Sequence, residues 1–156
     1  MTMQITDALI ETRDETVRLF ALDDVDLART YGPGKWSVRY VLHHIADAET
    51  VLFERIRRVI SEGRRVIWAF DQEAWARSLD YSTRPMDLSR DLYLASRAGI
   101  IHYAALHYVE HGHFEWIHSE TGVRTLRDEF DKVVRHNKDH VKQIRIALDR
   151  QRASQA

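Results

Sequence analysis

The 156-residue chain is long enough for one domain with a hydrophobic core and short for two, so a single domain is predicted over residues 1–156. A hydrophobic content of 44%, a charged fraction of 30% and a net charge of −1 are typical of a globular protein and argue against a nonspecific nucleic-acid binder. Cysteine is absent, which excludes disulfides, thiolate ligands and a cysteine nucleophile. Any metal must therefore bind His, Asp or Glu, and the chain has nine histidines.

The N-terminal segment MTMQITDALIETRDE carries acids where a signal peptide would carry a basic region and an apolar core. No apolar run approaches the roughly 20 residues that cross a bilayer. We therefore expect a cytoplasmic protein that contacts neither membrane nor nucleic acid.

Apolar residues spaced three and four apart predict two long helices in the first half of the chain. The first runs from about Ile5 to Ala21, and the second begins after Ser37, a good N-cap, and ends at Gly63. The connection 64–85 is long for a small domain, with a short helix predicted over 73–79. Such connections often lie over a functional site.

The second half predicts two further helices. The third runs from about Asp87 to a stop near Gly112, and Thr125 with Asp128 forms a variant capping box that opens the last helix, which continues to about Arg150. The predicted inward face of the third helix consists of Leu88, Leu92, Ala95, Leu106 and Val109. Four long helices without convincing strand alternation indicate an all-α four-helix bundle.

Two histidine pairs have the i, i+4 spacing that presents both rings on one side of a helix. On the last helix, His140 falls among apolar residues and His136 lies at the edge of the same stripe, so both are predicted to face the bundle. On the third helix, His107 and His111 fall off the predicted apolar stripe, which indicates a surface or interface position.

The segment from His107 to His111 also matches the H-x-x-E-H pattern of zinc proteases, in which Glu110 would be the general base. Its predicted orientation argues against that reading, because the rings would face away from the bundle. A solvated helix surface is the favoured interpretation.

A third ligand could come from the second helix, where His43 and His44 are adjacent. His43 is predicted to point outward with Asp47, whereas His44 lies at the edge of the apolar stripe. One inward histidine is most often a hydrogen-bonded core residue, but three on two helices favour a metal site. His102 is predicted to lie on the inward stripe of the third helix, as a fourth ligand, a partner of a ligand or an ordinary core residue.

Other residues are candidates for supporting positions. Trp36 and Trp75 could line the mouth of a pocket or belong to the core. Gln143 and Asp47, each one turn from a histidine, could hydrogen-bond a ligand or be solvated, and solvation is favoured for Asp47.

Three segments, PGKWSVRYVLHHIADAE, HSETGVRTLRDEF and HNKDHVKQI, resemble the DinB/YfiT-like superfamily of metal-dependent enzymes. The likeness covers nearly the whole chain in the same order. It implies a four-helix bundle, often dimeric, with a metal on three histidines that correspond to His44, His136 and His140. Family members often have a second histidine at the position of Asp139, a departure that does not touch the ligands.

Three neutral imidazoles would leave a divalent ion, zinc or nickel, with its charge and an open coordination position. Members resembling this chain include transferases that use bacillithiol or mycothiol, so transfer of a low-molecular-weight thiol to a largely apolar small molecule is the leading prediction. Trp68, Phe70 and Trp75 would form an apolar wall. Metal-assisted hydrolysis and a noncatalytic, metal-stabilised bundle are the alternatives.

A homodimer is also predicted. The third helix carries a second apolar row opposite its predicted core stripe, formed by Ile101, Ala105 and Tyr108. This is more apolar surface than a monomer needs to expose.

Overall fold

Residues 4–154 are described by a computed structural model, in which four long helices form a bundle and a small sheet covers one end. The elements in chain order are α1 (Ile5–Leu19), α2 (Asp24–Leu27), α3 (Val38–Glu62), β1 (Val66–Ile67), α4 (Gln72–Ser78), α5 (Met86–His107), β2 (Glu115–His118), β3 (Gly122–Thr125) and α6 (Leu126–Ser154). The predicted all-α bundle is confirmed, with α1, α3, α5 and α6 as its helices. In the part of the chain described here, no helix is both long and apolar enough to cross a membrane.

The predicted helix starts are confirmed by their capping contacts. Ser37 accepts a hydrogen bond from the Tyr40 N–H at 3.3 Å and so caps α3. At α6, the Asp128 N–H donates to Thr125 Oγ1 at 3.2 Å, and the Thr125 N–H donates to Asp128 Oδ2 at 2.8 Å. This reciprocal capping box fixes the start of the helix that carries two of the histidines. At its other end α3 stops at Gly63, whose φ of 72° favours glycine.

Helix α3 is the centre of the bundle, and every residue from 41 to 49 is buried. It packs on α5 and α6, with α1 on the far side of those two helices. One core cluster surrounds Ile56 and Phe130, and the other surrounds Ile45 and Ile144. His44 therefore lies on the most enclosed helix of the fold.

The predicted inward face of α5 was wrong. Leu88, Leu92, Leu106 and Val109 are 49%, 38%, 54% and 83% exposed. The face that packs against the bundle is instead formed by Ser89, Tyr93, Ser96, Arg97, Ile100 and Ala104. The pattern misleads because this buried face is half polar, whereas the solvent face is rich in leucine.

A buried ion pair explains why a polar face is tolerated there. Arg97 is fully buried and pairs with Glu49 of α3 through two nitrogens, Nε and Nη2. The Nη2 atom donates to Glu49 Oε2 at 3.1 Å. Its other nitrogen donates to the Leu9 carbonyl at 2.9 Å and to Thr12 Oγ1 at 2.7 Å. Because each buried charge has a partner, α5 can bury arginine and leave its leucines outside.

The small sheet was not predicted. β2 pairs with β1 in parallel and with β3 in antiparallel register. These strands are two to four residues long, too short to show the alternation that identifies a strand from sequence. Trp116 of β2 is fully buried, so the sheet ties the 64–85 connection to the end of the bundle.

Candidate metal centre

Three histidine rings from two helices meet inside the bundle. His44 comes from α3, and His136 and His140 come from successive turns of α6. The Nε2 atom of His136 lies 3.1 Å from Nε2 of His44 and 3.1 Å from Nε2 of His140. Of the residues described, these three form a cluster of potential ligands whose ligand atoms all lie within 4.8 Å of one another. The three predicted ligands are therefore brought together.

The spacing of these nitrogens fits a tetrahedral ion. Zinc binds imidazole nitrogen at about 2.0–2.1 Å, which places two ligand nitrogens of a tetrahedral site about 3.3 Å apart. The contacts of 3.1 Å on either side of His136 are close to that value. Without a cation, three adjacent ring nitrogens would bring lone pairs together, so the donor set suits a divalent metal.

Burial keeps these rings neutral. It lowers the pKa of His44 to about 3, with a further contribution from the neighbouring His140. It also lowers the pKa of His136 to about 2, and the pKa of His140 is lowered for the same main reason. Because only the neutral imidazole binds a metal, the site is in its ligating form at neutral pH.

Gln143 fixes the ring of His140. The Nδ1 atom of His140 lies 2.8 Å from Gln143 Oε1, an acceptor, so the ring proton is on Nδ1 and the Nε2 lone pair is left for a ligand bond. This hydrogen bond supports the predicted role of Gln143 as a partner of a ligand. His44 differs, since none of the described residues hydrogen-bonds its buried Nδ1 and its ring is held by packing.

Aromatic side chains surround His44. Trp36 lies 5.3 Å from it between ring centroids, and Phe70 stacks on it at 6.3 Å. Trp75 packs edge-on against Phe70 at 5.0 Å. These contacts place Trp36, Phe70 and Trp75 beside the centre, whereas Trp68, predicted for the same wall, is 79% exposed. The prediction for Trp68 was wrong because it alternates with the buried Ile67 at the edge of β1.

A cavity of about 280 Å³ borders the centre at His140. Gln143 and Trp36 also line it. Gln72 and Glu73, at the start of α4, complete it from the 64–85 connection. The prediction that this connection lies over a site is consistent with that arrangement.

His43 and Asp47 were predicted to face outward, and this was wrong. His43 is fully buried, with Nδ1 2.8 Å from Ser89 Oγ of α5. Asp47 is 4% exposed, accepts the Tyr81 hydroxyl at 2.7 Å and pairs with Arg84 at 3.1 Å. The end of the 64–85 connection folds over this side of α3, so a position opposite the core stripe is also enclosed. These contacts hold the connection against the helix that carries His44.

The remaining histidines of interest lie away from the centre. His102, predicted on an inward face, is exposed because α5 is turned the other way. His107 and His111 are half-buried, and their Nδ1 atoms are 2.8 Å apart. The Glu110 side chain between them is 76% exposed. Among residues 4–154, no third ligand joins this pair within metal-binding distance.

Comparison with known proteins identifies the family. Residues 8–144 match the DinB superfamily. The chain belongs to the DinB superfamily. The resemblance seen in its sequence is thereby confirmed, and so is the four-helix bundle that it implies.

Relatives of this DinB chain carry names that mention metal. A protein of Oceanobacillus iheyensis, named "Putative metal-dependent hydrolase", is 28% identical over 134 residues, which cover 86% of this chain and 76% of the relative. A second protein of that organism and one of Geobacillus thermodenitrificans bear the same name and are 35% and 34% identical. Those two alignments cover 46% and 44% of this chain and only 41% and 38% of the relatives.

A solved structure has the same fold. YfiT from Bacillus subtilis, described as a "probable metal-dependent hydrolase with an unusual four-helix bundle topology", matches with a TM-score of 0.86. The match covers 94% of this chain and 85% of YfiT at 22% sequence identity. At 22% identity this likeness is evidence for a shared fold and not for a shared activity.

Proposed function

We propose that His44, His136 and His140 hold one divalent ion and that this DinB-superfamily chain is a metal-dependent enzyme. The observation that carries the proposal is the convergence of three Nε2 atoms, from the buried His44 of α3 and the half-buried His136 and His140 of α6. The names of the relatives, each of which mentions metal dependence, support it. Imidazole ligands favour zinc or nickel over magnesium or calcium, which prefer oxygen.

Bound to three neutral imidazoles, such an ion would retain its charge and an open position, where it would act as a Lewis acid and ionise water or a thiol. The chain supplies the surroundings of that position. His140 is oriented by Gln143, and the rings of Trp36 and Phe70 pack beside His44. An apolar substrate group fits against these rings.

The finer proposal is transfer of a low-molecular-weight thiol to an electrophilic small molecule. A free thiol has a pKa of about 8.5, so it ionises near neutrality with little help, and no general base is required. In the described residues, no carboxylate joins the three-histidine cluster. The chain has no cysteine, so the sulfur would come from a second substrate.

Hydrolysis is the second candidate, favoured by the names of the relatives. Hydrolysis requires proton transfer to a leaving group, usually by a side chain within reach of the site. Glu73 lines the cavity that His140 and Gln143 share, so it is the carboxylate placed to exchange that proton. The two candidates therefore differ in their dependence on Glu73.

The test uses protein loaded with zinc or nickel and incubated with bacillithiol, mycothiol, glutathione or cysteine and a generic electrophile. Thiol transfer predicts conjugation faster than in the His140→Ala variant, with Glu73→Gln close to wild type. Ester or amide cleavage that falls in Glu73→Gln, without thiol consumption, would replace transfer by hydrolysis. If neither reaction occurs with the ion confirmed bound, the enzymatic proposal is wrong and the noncatalytic, metal-stabilised bundle takes its place.

A further inference from the structure

A second cavity, of about 480 Å³, lies beside the three-histidine centre. Phe70 forms part of its wall and also stacks on His44. Lys132 lines it from α6, four residues before His136, and residues four apart on a helix share a face. The cavity therefore lies about one helical turn from the centre.

The formal charges around this cavity balance, but most of its acids are already engaged within the protein. Four Lys or Arg and four Asp or Glu line it. Asp128 accepts a backbone hydrogen bond at the start of α6 at 2.8 Å, and Asp131 accepts the Tyr108 hydroxyl at 2.9 Å. Glu129 is 2% exposed and pairs with Arg55 at 3.4 Å, and burial raises its pKa. Three of the four acids thus already accept a hydrogen bond or an ion pair within the protein, and the fourth, Glu120, is exposed.

Several donors in the same wall lack partners. Arg55 is 2% exposed; its two terminal nitrogens bond Glu129 and the Trp68 carbonyl, but no described residue accepts from its buried Nε. His118 is 8% exposed, and its Nδ1 accepts the N–H groups of Glu120 and Thr121 at 3.2 and 3.4 Å. Its ring proton must therefore be on Nε2, which leaves that atom a donor. Lys132 is half-buried and makes no hydrogen bond or ion pair within residues 4–154.

We propose that this cavity binds an anionic group, a carboxylate or a phosphate, of the molecule that reacts at the three-histidine centre. Lys132 would supply the counter-charge, and Arg55 Nε and His118 Nε2 would donate hydrogen bonds. The assignment of this molecule as a substrate rests on the proposed function, whereas the anion site itself does not require a metal. The substrate would be a small molecule with an acidic end and with a reactive group about one helical turn away from that end.

The chemistry of the donors favours an anion over a neutral polar group. A buried donor without a partner is costly, and a charge-assisted hydrogen bond is about twice as strong as a neutral one. A lysine ammonium on its flexible stem acts as a point charge that suits either a carboxylate or a phosphate. Desolvation lowers the pKa of Lys132, and the neighbouring arginines outweigh part of the opposing attraction of Glu129, so a bound anion would further stabilise the ammonium form.

The test measures binding of small probes to the full, metal-free chain at about pH 8, where free histidine is neutral. The probes are benzoate, phenyl phosphate and the neutral benzamide, followed by titration calorimetry and by the fluorescence of the tryptophans, of which Trp116 lines the cavity. We expect saturable binding of at least one anion and none of benzamide. The relative affinity of the two anions distinguishes a carboxylate from a phosphate.

Variants locate the site. Lys132→Gln should weaken anion binding about tenfold or more, and Lys132→Arg should restore most of it. The matched control is Lys142→Gln, an exposed lysine on the same helix that does not line the cavity, and it should bind as the wild type does. His136→Ala should lose the metal and keep the anion, which separates this proposal from the proposed function.

Two results would overturn the anion site. The first is equal binding by wild type and Lys132→Gln, with circular dichroism showing both folded. The second is binding of benzamide as tight as that of benzoate, which would make the cavity an apolar pocket.

Discussion

Two pairs of histidines are four residues apart: His107 at the end of α5 with His111 in the turn that follows it (the α5 pair), and His136 with His140 on α6 (the α6 pair). The two pairs differ in what reaches them from the rest of the fold. The rings of His107 and His111 approach to 2.8 Å, and those of His136 and His140 to 3.1 Å, so each pair is geometrically able to chelate. Among the described residues, a third ring, that of His44 on α3, joins the α6 pair, and none joins the α5 pair. Spacing along one helix creates a pair, and a second helix makes it a candidate site.

The surroundings of the two pairs also differ. The α6 pair and His44 are largely enclosed, so burial lowers the pKa of all three rings. The α5 pair lies at and just beyond the C-terminal end of α5, next to the exposed Glu110. We therefore predict that the chain's metal content depends on the α6 pair and not on the α5 pair.

The largest effect is expected from removing a ring of the α6 pair. His136→Ala should reduce metal content from about one ion per chain to near zero, because two remaining imidazoles seldom retain a divalent ion. His107→Ala, the matched change on α5, should leave the content unchanged. Elemental analysis after gel filtration measures both, and undiminished metal in His136→Ala would remove the assignment.

The next largest effect concerns the faces of α5. Glu49→Leu should lower the free energy of unfolding by about 3–5 kcal/mol, because it leaves Arg97 charged and buried without a partner. Glu54→Leu, on the half-exposed side of the same helix, should change stability by about 0.5 kcal/mol or less. Denaturation in urea measures the difference. Equal effects would mean that the buried ion pair does not hold α5 in this orientation.

The contrast between α3 and α5 shows how much of the fold could be predicted from the sequence. On α3 the apolar stripe faces the core, so the pattern placed His44 correctly. On α5 the buried face contains Ser89, Ser96 and Arg97, whose partners lie on other helices and leave no local trace. The rule that apolar residues face inward therefore selected the wrong side.

The candidate site was predicted in part for related reasons. The ligand trio depends on helix faces and on a family resemblance, both of which the sequence contains. The burial of His43 depends on Tyr81 and Arg84 folding over α3, a tertiary contact between residues far apart in the chain. Lys132 lies one turn before His136, so its position was readable from the spacing, but the cavity beside it requires the short sheet, which the sequence did not reveal.

A smaller effect on metal binding is expected from Gln143, which hydrogen-bonds the ligand His140. Gln143→Ala should weaken metal binding about 10–100-fold, because the ring of His140 loses the contact that fixes its tautomer. Lys142→Ala, an exposed neighbour, should leave affinity unchanged. Competition with a chromophoric chelator gives both affinities. An unaltered affinity in Gln143→Ala would show that packing alone orients the ring.

The smallest effect concerns the outer face of α5. We propose a homodimer through its exposed heptad-spaced residues rather than through the predicted row of Ile101, Ala105 and Tyr108. The exposed stripe consists of Leu88, Leu92, Ala95, His102 and Leu106 on α5, and Val109 continues it in the turn after the helix. Spacings of three and four along an exposed helix suit packing against a second copy.

Leu106→Glu should weaken this dimer about tenfold or more, because it places a charge in an apolar contact. Ala105→Glu, a change at an exposed residue of the originally predicted row, should have little effect. Sedimentation velocity over a range of concentrations measures the association. A wild-type monomer at high micromolar concentration would contradict the homodimer, and dissociation by Ala105→Glu alone would return it to the original row.

X-ray absorption spectroscopy of the zinc-loaded chain tests the central claim most directly, because it counts the imidazoles around the ion. We predict three imidazole nitrogens at about 2.0–2.1 Å and at least one further light-atom ligand from solvent. We expect the same spectrum for the double variant His107→Ala, His111→Ala. A two-imidazole ion that disappears in that double variant would place the metal on α5 and contradict the three-histidine centre.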